Sequence, residues 1–235
     1  MLRHTMNEGQ NIPLPAIIRF YHLIARIWRK RRFARFEQRI RPRPDESLLD
    51  LGGYPMNWFG RAAVIGSVDV VNLGLVEAPH VPAGSPVIRS IDGDARNLAL
   101  ADGSYDIVFS NSVIEHVGDL GDQQAFAREA RRLGRRLWIQ TPAYECPIEP
   151  HYLGVFIHWF PAKWHAGLAR LFSLRGLSGA ADPAELREIA SSTRLLTKRE
   201  MRDLFPDCEI WTERLFFIIP KSHVAVRGVS SPNPD

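Results

Sequence analysis

The stretch Leu48-Leu49-Asp50-Leu51-Gly52-Gly53-Tyr54-Pro55 is a short apolar run that ends on an acid and two glycines. Such a run, bounded by a turn, reads as a buried strand. The glycines let the backbone turn tightly and come close to a ligand. Open α/β sheets bind their ligands outside the carboxyl ends of the strands, and Asp50, Gly52 and Gly53 fall at that place. Taken alone, the turn fits a nucleotide-like ligand and a plain tight turn equally well.

Downstream of this strand the pattern repeats. Further strands are expected over 68–73, 87–91, 105–110 and 136–140, with short helical segments over 58–64, 114–120 and 122–133 between them. Alternating strands and helices indicate a parallel sheet covered on both faces. Beyond it, helices are expected over 161–174 and 183–191, the second with Asp182 as N-cap and Pro183 at its first position. Thr197-Lys198-Arg199-Glu200 is a capping box that starts another helix, which ends before Pro206. Runs at 209–211 and 215–226 read as a closing pair of strands, and the Ser- and Pro-rich tail 228–235 as disordered.

Ahead of the sheet, Ile17, Phe20, Tyr21, Ile24, Ile27 and Trp28 recur at three- and four-residue steps among arginines, which predicts a basic amphipathic helix over 15–40. Two readings stand for it: a helix packed on the core with solvated arginines, or a surface that touches anionic lipid or closes over the site. Residues 1–43 hold eleven Lys or Arg against two acids, so within a total of +4 the rest of the chain is at −5. The basic excess is therefore local, and with no basic stripe interleaved with aromatics elsewhere, a nucleic-acid partner is not expected. The division that follows is 1–43 for the basic helical segment and 44–227 for the main domain, with a helical insertion about 152–205.

Cys146 and Cys208 have neither CxxC spacing nor disulfide-scaffold density and read as reduced thiols. No apolar run reaches the roughly 18 residues that cross a bilayer, and arginines interrupt the one stretch that resembles a secretory signal. The expectation is a cytoplasmic protein, with the basic helix offering a peripheral contact to the inner membrane face. The histidines are scattered and no metal site is expected.

The order of motifs is more specific than any one of them. Val70-Val71-Asn72-Leu73 ends the second strand on a polar residue, and Ile91-Asp92-Gly93-Asp94-Ala95 follows the third. Asn111-Ser112-Val113-Ile114-Glu115-His116-Val117 follows the fourth. With the Asp-x-Gly-Gly-x-Pro-x-x-Trp turn of Asp50 to Trp58 and the later Pro147-Ile148-Glu149-Pro150-His151, the chain resembles the class I S-adenosylmethionine-dependent methyltransferases of the bacterial small-molecule kind.

The resemblance implies an α/β, Rossmann-like doubly wound sheet of about seven strands, mostly parallel, and S-adenosylmethionine as cofactor. It implies that Asp50, Gly52, Gly53 and the adjoining Tyr54 hold the methionine end and that Asn72 faces the ribose. Asp94 would accept from the adenine amino group, the N–H of Ala95 would meet the ring, and Asn111 and Ser112 would line the wall beside the sulfonium. The usual turn has further glycines where this chain has Tyr54 and Met56, and a carboxylate where it has Asn72, which gives up a charge-assisted bond. The expected acceptor is a small or a lipid- or glycan-linked molecule.

Methyl transfer asks mainly that the acceptor be aligned, sometimes with removal of a proton. Glu115, His116 and His151 are the candidates for that, with Tyr144 as an orienting donor. Glu115 and His116 have a structural alternative, satisfying the start of a helix. Phe156, Trp159, Phe160 and Trp164 are spaced as a helical stripe, read as core packing in preference to an apolar lid. A nicotinamide dehydrogenase fails on spacing, because Gly52 and Gly53 are adjacent and the next glycine is Gly60. The remaining alternative is a non-catalytic Rossmann-like module in which the turn no longer holds a cofactor and the basic helix recruits a membrane or partner.

Overall fold

A computed structural model of the chain describes residues 16–76, 80–149, 154–160, 164, 167–168 and 192–228. The helices expected over 161–174 and 183–191, His151 and the tail beyond Gly228 lie outside the described residues, wholly or for the most part. The chain divides into two compact units, Met1–Arg35 and Phe36–Asp235. The described part of the first is helix α1 (Ala16–Ile40), which runs on into the second. Along it Arg26, Arg29, Lys30 and Arg31 are exposed. Among the described residues no helix is long and apolar enough to cross a membrane.

The second unit is built on a seven-stranded sheet. Its strands are β1 (Ser47–Leu51), β2 (Ser67–Asn72), β3 (Val87–Asp92), β4 (Tyr105–Asn111), β5 (Gly134–Pro142), β8 (Glu209–Leu215) and β9 (Ile219–Arg227), and a separate hairpin pairs β6 (Ile148–Glu149) with β7 (Gly154–Val155). The order across the sheet is β3-β2-β1-β4-β5-β9-β8. The strands from β3 to β5 are parallel, and β9 enters antiparallel between β5 and β8. The chain reverses between β1 and β4, so their carboxyl ends form the edge where a doubly wound sheet opens a crevice. Every strand expected from the sequence is present, with ends shifted by a residue or two at most except in the closing pair, where β8 is longer than the expected 209–211 and β9 starts four residues later than the expected 215.

Helix α2 (Leu120–Leu133) starts at Asp119, whose carboxylate accepts from the Asp122 N–H while the Asp122 side chain accepts from Asp119 N–H. Its apolar stripe of Phe126, Ala127, Ala130 and Leu133 is buried on Leu49, Leu51, Val108, Leu137 and Ile139, together with Met201 and Leu204 of helix α3 (Lys198–Leu204). Helix α3 opens on the expected Thr197 and Glu200 box. Of the expected short helices, the one over 58–64 is absent, with only a 3-10 turn ahead of it at Pro55–Trp58, and the one over 114–120 shrinks to the 3-10 turn Ile114–His116. Gly60, with φ at +70°, breaks the first, and Gly118, at +127°, ends the second before the Asp119 cap.

Alternation along β1 turns Leu48 and Asp50 to the opposite face, where the last turn of α1 docks. Phe36 is fully buried there, its ring edge-on to Phe109 at 5.1 Å, Trp138 at 5.8 Å and Trp58 at 6.3 Å. Arg41, left-handed at φ 51°, closes the helix by donating its N–H to Glu37 O. The buried Arg136 guanidinium then holds this end, donating to Ile40 O at 2.8 Å and pairing with Glu46 at 2.5 Å. Replacing Phe36 by Ala empties the centre of an aromatic cluster and is expected to cost about 3–5 kcal/mol in urea denaturation. A loss under about 1 kcal/mol would mean that α1 is not anchored to the sheet in this way.

Candidate active site

The residues singled out in the sequence gather at the carboxyl ends of β1, β2 and β4. Asp50 is buried on β1, and its Oδ2 accepts from Trp58 Nε1 at 2.8 Å. Its other oxygen, Oδ1, is buried and has no hydrogen-bond partner. Burial raises the Asp50 carboxyl to about 7, against a partial lowering by the Trp58 bond. A buried oxygen left without a donor is costly in a folded protein, so the site is complete only when something donates to it.

Gly53 packs directly against this carboxylate. A Cβ built at Gly53 would lie 1.9 Å from Asp50 Oδ2 and 2.5 Å from Oδ1, so any other residue there would displace the carboxylate. Gly52 has φ at +77°, and a Cβ on it would stand 2.5 Å from Val113 Cγ1, in the loop after β4. The turn is therefore wedged between its own acid and the neighbouring loop, with no space for side chains. Tyr54 and Met56, which stand where the usual turn has glycines, are 54% and 64% exposed.

Asn72 closes the second side. Its Nδ2 donates to Gly53 O at 2.9 Å, so the amide at the end of β2 braces the glycine turn and keeps Oδ1 as an acceptor. At the end of β4, Ser112 sits at φ +58°, an uncommon conformation for a residue with a Cβ. It is held there by Gln140 of β5, which takes its N–H at 2.9 Å and its hydroxyl at 3.0 Å. Asn111 is opposite Gln140 in the ladder, half-buried.

Asp94 and Ala95 follow β3. The Asp94 carboxylate is forked to Arg96, with its closest contact at 2.6 Å. Arg96 continues to Asp122 at 2.7 Å and to Val117 O at 3.1 Å, which ties this loop to the segment before α2. The Arg96 bond holds Asp94 below the usual carboxylate range. An ionised carboxylate has further lone pairs beyond this fork, so Asp94 stays an acceptor. Half-buried Ala95 packs on the core below.

The proton-handling candidates are spread out. Glu115 is fully buried, accepting from Thr141 Oγ1 at 3.0 Å, and its backbone carbonyl takes the Arg194 N–H. His116, next to it, is exposed, with Nδ1 3.4 Å from Thr193 Oγ1. Tyr144 stands exposed on the loop leaving β5; its carbonyl accepts from Trp159 Nε1 at 3.0 Å and meets His158 Nε2 at 2.9 Å. That loop is pinned from below by Glu145, which bonds the buried His223 at 2.8 Å. Phe156, Trp159, Phe160 and Trp164 are about half exposed, which corrects the expectation of core packing: among the described residues of that stretch only Ile157 is buried. Phe156, at φ 63°, and the extended Phe160 bound a 3-10 turn of only three residues, Ile157–Trp159, so the helical spacing does not run on through Phe160.

Four contributors went unread in the sequence. Trp58 was noted as part of the turn but not as the donor to Asp50, and Arg96 two residues past Asp94 is the kind of i, i+2 partner that spacing can suggest. Gln140 and the Glu145–His223 pair belong to separate strands and loops, and nothing local in the sequence joins them.

The acid, the two-glycine turn and the amides thus lie together at the carboxyl edge of a doubly wound sheet, where such sheets bind their ligands. Residues 52–136 match the family model of the methyltransferase domain. A protein of 37.1 kDa encoded in a transposon of Streptomyces fradiae is 33% identical over 111 residues, which are 44% of this chain and 32% of that one. The chain thus spans about a third of that relative's length. Among solved structures, a methyltransferase from Methanosarcina mazei is similar at 14% identity over 78% of this chain and 92% of its own, with a TM-score of 0.47. The magnesium protoporphyrin IX methyltransferase of Synechocystis, with S-adenosylhomocysteine bound, is similar at 16% identity over 80% and 75%, with a TM-score of 0.44.

Because the folded Asp50 carboxyl is raised to about 7 from 3.8, the folded state binds more protons than the unfolded chain between those values. Its contribution to stability therefore falls as pH rises through this window and levels off above it. Relative to Asp50→Asn, the wild-type protein without ligand is expected to lose about 2–4 kcal/mol between about pH 4 and about pH 8. Parallel stability-against-pH curves for the two proteins, measured by urea denaturation, would show that this carboxyl is not perturbed.

Proposed function

We propose that the chain transfers the methyl group of S-adenosylmethionine to a small or a lipid- or glycan-linked acceptor. The observation that carries this is the buried Asp50 Oδ1, without a donor, beside a glycine turn that packs against it with no side chain. The residues present fit the cofactor: an acid for its ammonium group, amides for its hydroxyls and a turn with no side chain in the way. When bound, the cofactor supplies a methyl group already activated on a sulfonium.

The chain's own work is then to hold and align. Asp50 takes the ammonium end, with the backbone of Gly52, Gly53 and Tyr54 around it. Asn72 Oδ1 faces the ribose hydroxyls, Asp94 and the Ala95 N–H take the adenine, and Asn111 and Ser112 form the wall beside the sulfur. Glu115 is sealed from solvent and acts as a positioning residue on Thr141. Where an acceptor must lose a proton, His116, Tyr144 and His151 remain as the groups for it. Of these Tyr144 is on the loop that leaves the carboxyl end of β5, beside the half-exposed Trp159 and Phe156. Apolar rings at that edge suit an acceptor with hydrophobic character. The exposed arginines of α1 suit a peripheral contact with anionic lipid.

The pH dependence of cofactor binding tests this reading. An ammonium pairs with the ionised form of Asp50, so affinity for S-adenosylhomocysteine in calorimetry is expected to rise about tenfold from about pH 6 to a plateau above about pH 8. Asp50→Asn is expected to bind at least about tenfold more weakly at the upper pH and to lose the dependence. The absence of binding heat from the wild-type protein at any pH in this range would favour the non-catalytic module.

A further inference from the structure

The turn between β8 and β9 is the most exposed apolar feature among the described residues. Phe216, Phe217 and Ile218 follow one another there and are 84%, 95% and 77% exposed. Both phenylalanines are left-handed, with φ at 48° and 63°. Two-residue hairpin turns of that kind ordinarily use asparagine and glycine, which tolerate positive φ. Folding gains nothing from two phenylalanines at these positions, because neither side chain is buried and both backbones are strained. Their use lies outside the fold.

The placement of the turn says what that use is. Strand β9 pairs with β5 through Ser222 opposite Pro142, and Ala143 N–H extends the ladder to Lys221 O. The strand runs antiparallel to β5, so residues 216–218 project beyond the carboxyl end of β5, by roughly 15 Å at strand spacing. That is the edge that carries the glycine turn, Asn72, Ser112 and Tyr144. Arg214 and Lys221 flank the tip with no acid between them, and the nearest carboxylate, Glu213, is buried against the Ser222 hydroxyl. In a main domain whose net charge is negative, this short segment is cationic.

We propose that this hairpin tip is a membrane-interface anchor, inserting Phe216, Phe217 and Ile218 into an anionic bilayer with Arg214 and Lys221 at the headgroups. Aromatic and cationic side chains side by side are what such an interface takes. A protein partner fits less well. Two phenylalanines bury roughly 150–250 Å² each, which is well below the roughly 800 Å² per partner of a stable interface. A convex tip of three side chains is shaped to enter a fluid phase, and Arg214, whose guanidinium donates to Ile218 O, braces the turn. Given the methyl-transfer reading, on which this second step rests, an anchored tip turns the mouth of the site toward the bilayer. The acceptor is then a molecule presented from the membrane surface, which narrows the acceptor to the lipid-borne class.

The test uses the full chain in a Cys208→Ser background, Cys146 being buried, with Phe217→Cys carrying a polarity-sensitive fluorophore. Vesicles of phosphatidylcholine are compared with vesicles that also contain phosphatidylglycerol. The expected result is a blue-shifted, brighter probe with the anionic vesicles, weakened by salt. In unlabelled protein, the double variant Phe216→Ser with Phe217→Ser is expected to reduce vesicle co-sedimentation about tenfold or more, with melting temperature and S-adenosylhomocysteine binding unchanged. The proposal is overturned if the protein ignores both vesicles, or binds them with the probe unshifted, which would assign the contact to another segment. It is equally overturned if the double variant converts a dimer to a monomer without affecting vesicles, which would assign the tip to a second copy of this chain. Vesicle binding through the tip without any S-adenosylhomocysteine binding would keep the anchor and remove the acceptor inference.

Discussion

The site depends on one buried carboxylate kept half-satisfied. Asp50 lies at the end of a central strand, with Trp58 donating to one oxygen and nothing donating to the other. Taking an acid out of water without a cation is unfavourable, and the pKa near 7 expresses that cost. The fold tolerates it because the strand on either side is buried among aliphatic residues, and the acid is locked by the 3-10 turn that carries Trp58. A cationic ligand group arriving at Oδ1 would relieve a penalty the protein already bears.

Everything around that carboxylate serves to leave it reachable. Gly53 passes where a side chain would collide, Asn72 braces the turn from β2, and Val113 closes against Gly52 from the loop after β4. These residues come from three strands that are neighbours only because the sheet order is β2-β1-β4 at its centre. On the reverse face, Phe36 and Phe109 pack edge-on against the Trp58 indole, so the end of α1 reaches the site through packing. The antiparallel β9 adds a different element to the same edge, since it brings the β8–β9 turn past the end of β5.

The strands were legible because buried parallel strands read as short apolar runs with glycines, asparagines and acids at their ends. The capping box at Thr197 and Glu200 was legible for a similar reason, being a local exchange of two hydrogen bonds. The glycine turn, Asn72 and the Asn111-Ser112 loop were visible from order and spacing. What could not be read was contact between distant segments. Gln140 holding Ser112, Arg136 holding the end of α1, and His223 under Glu145 have no local signature. The aromatic stripe at Phe156 to Trp164 was misread because spacing reports periodicity, and a left-handed Phe156 breaks the helix that periodicity assumed. The short helices after β1 and β4 were overestimated for a like reason: left-handed Gly60 falls inside the first, which is absent, and Gly118 cuts the second to a single turn.

A crystal structure with S-adenosylhomocysteine tests the central claim most directly. The account predicts its amino group within hydrogen-bond reach of Asp50 Oδ1, directly or through one water, with Trp58 still on Oδ2 and Gly53 unmoved. A ligand bound elsewhere on the sheet, or one bound in the crevice with Oδ1 still lacking a donor, would contradict it.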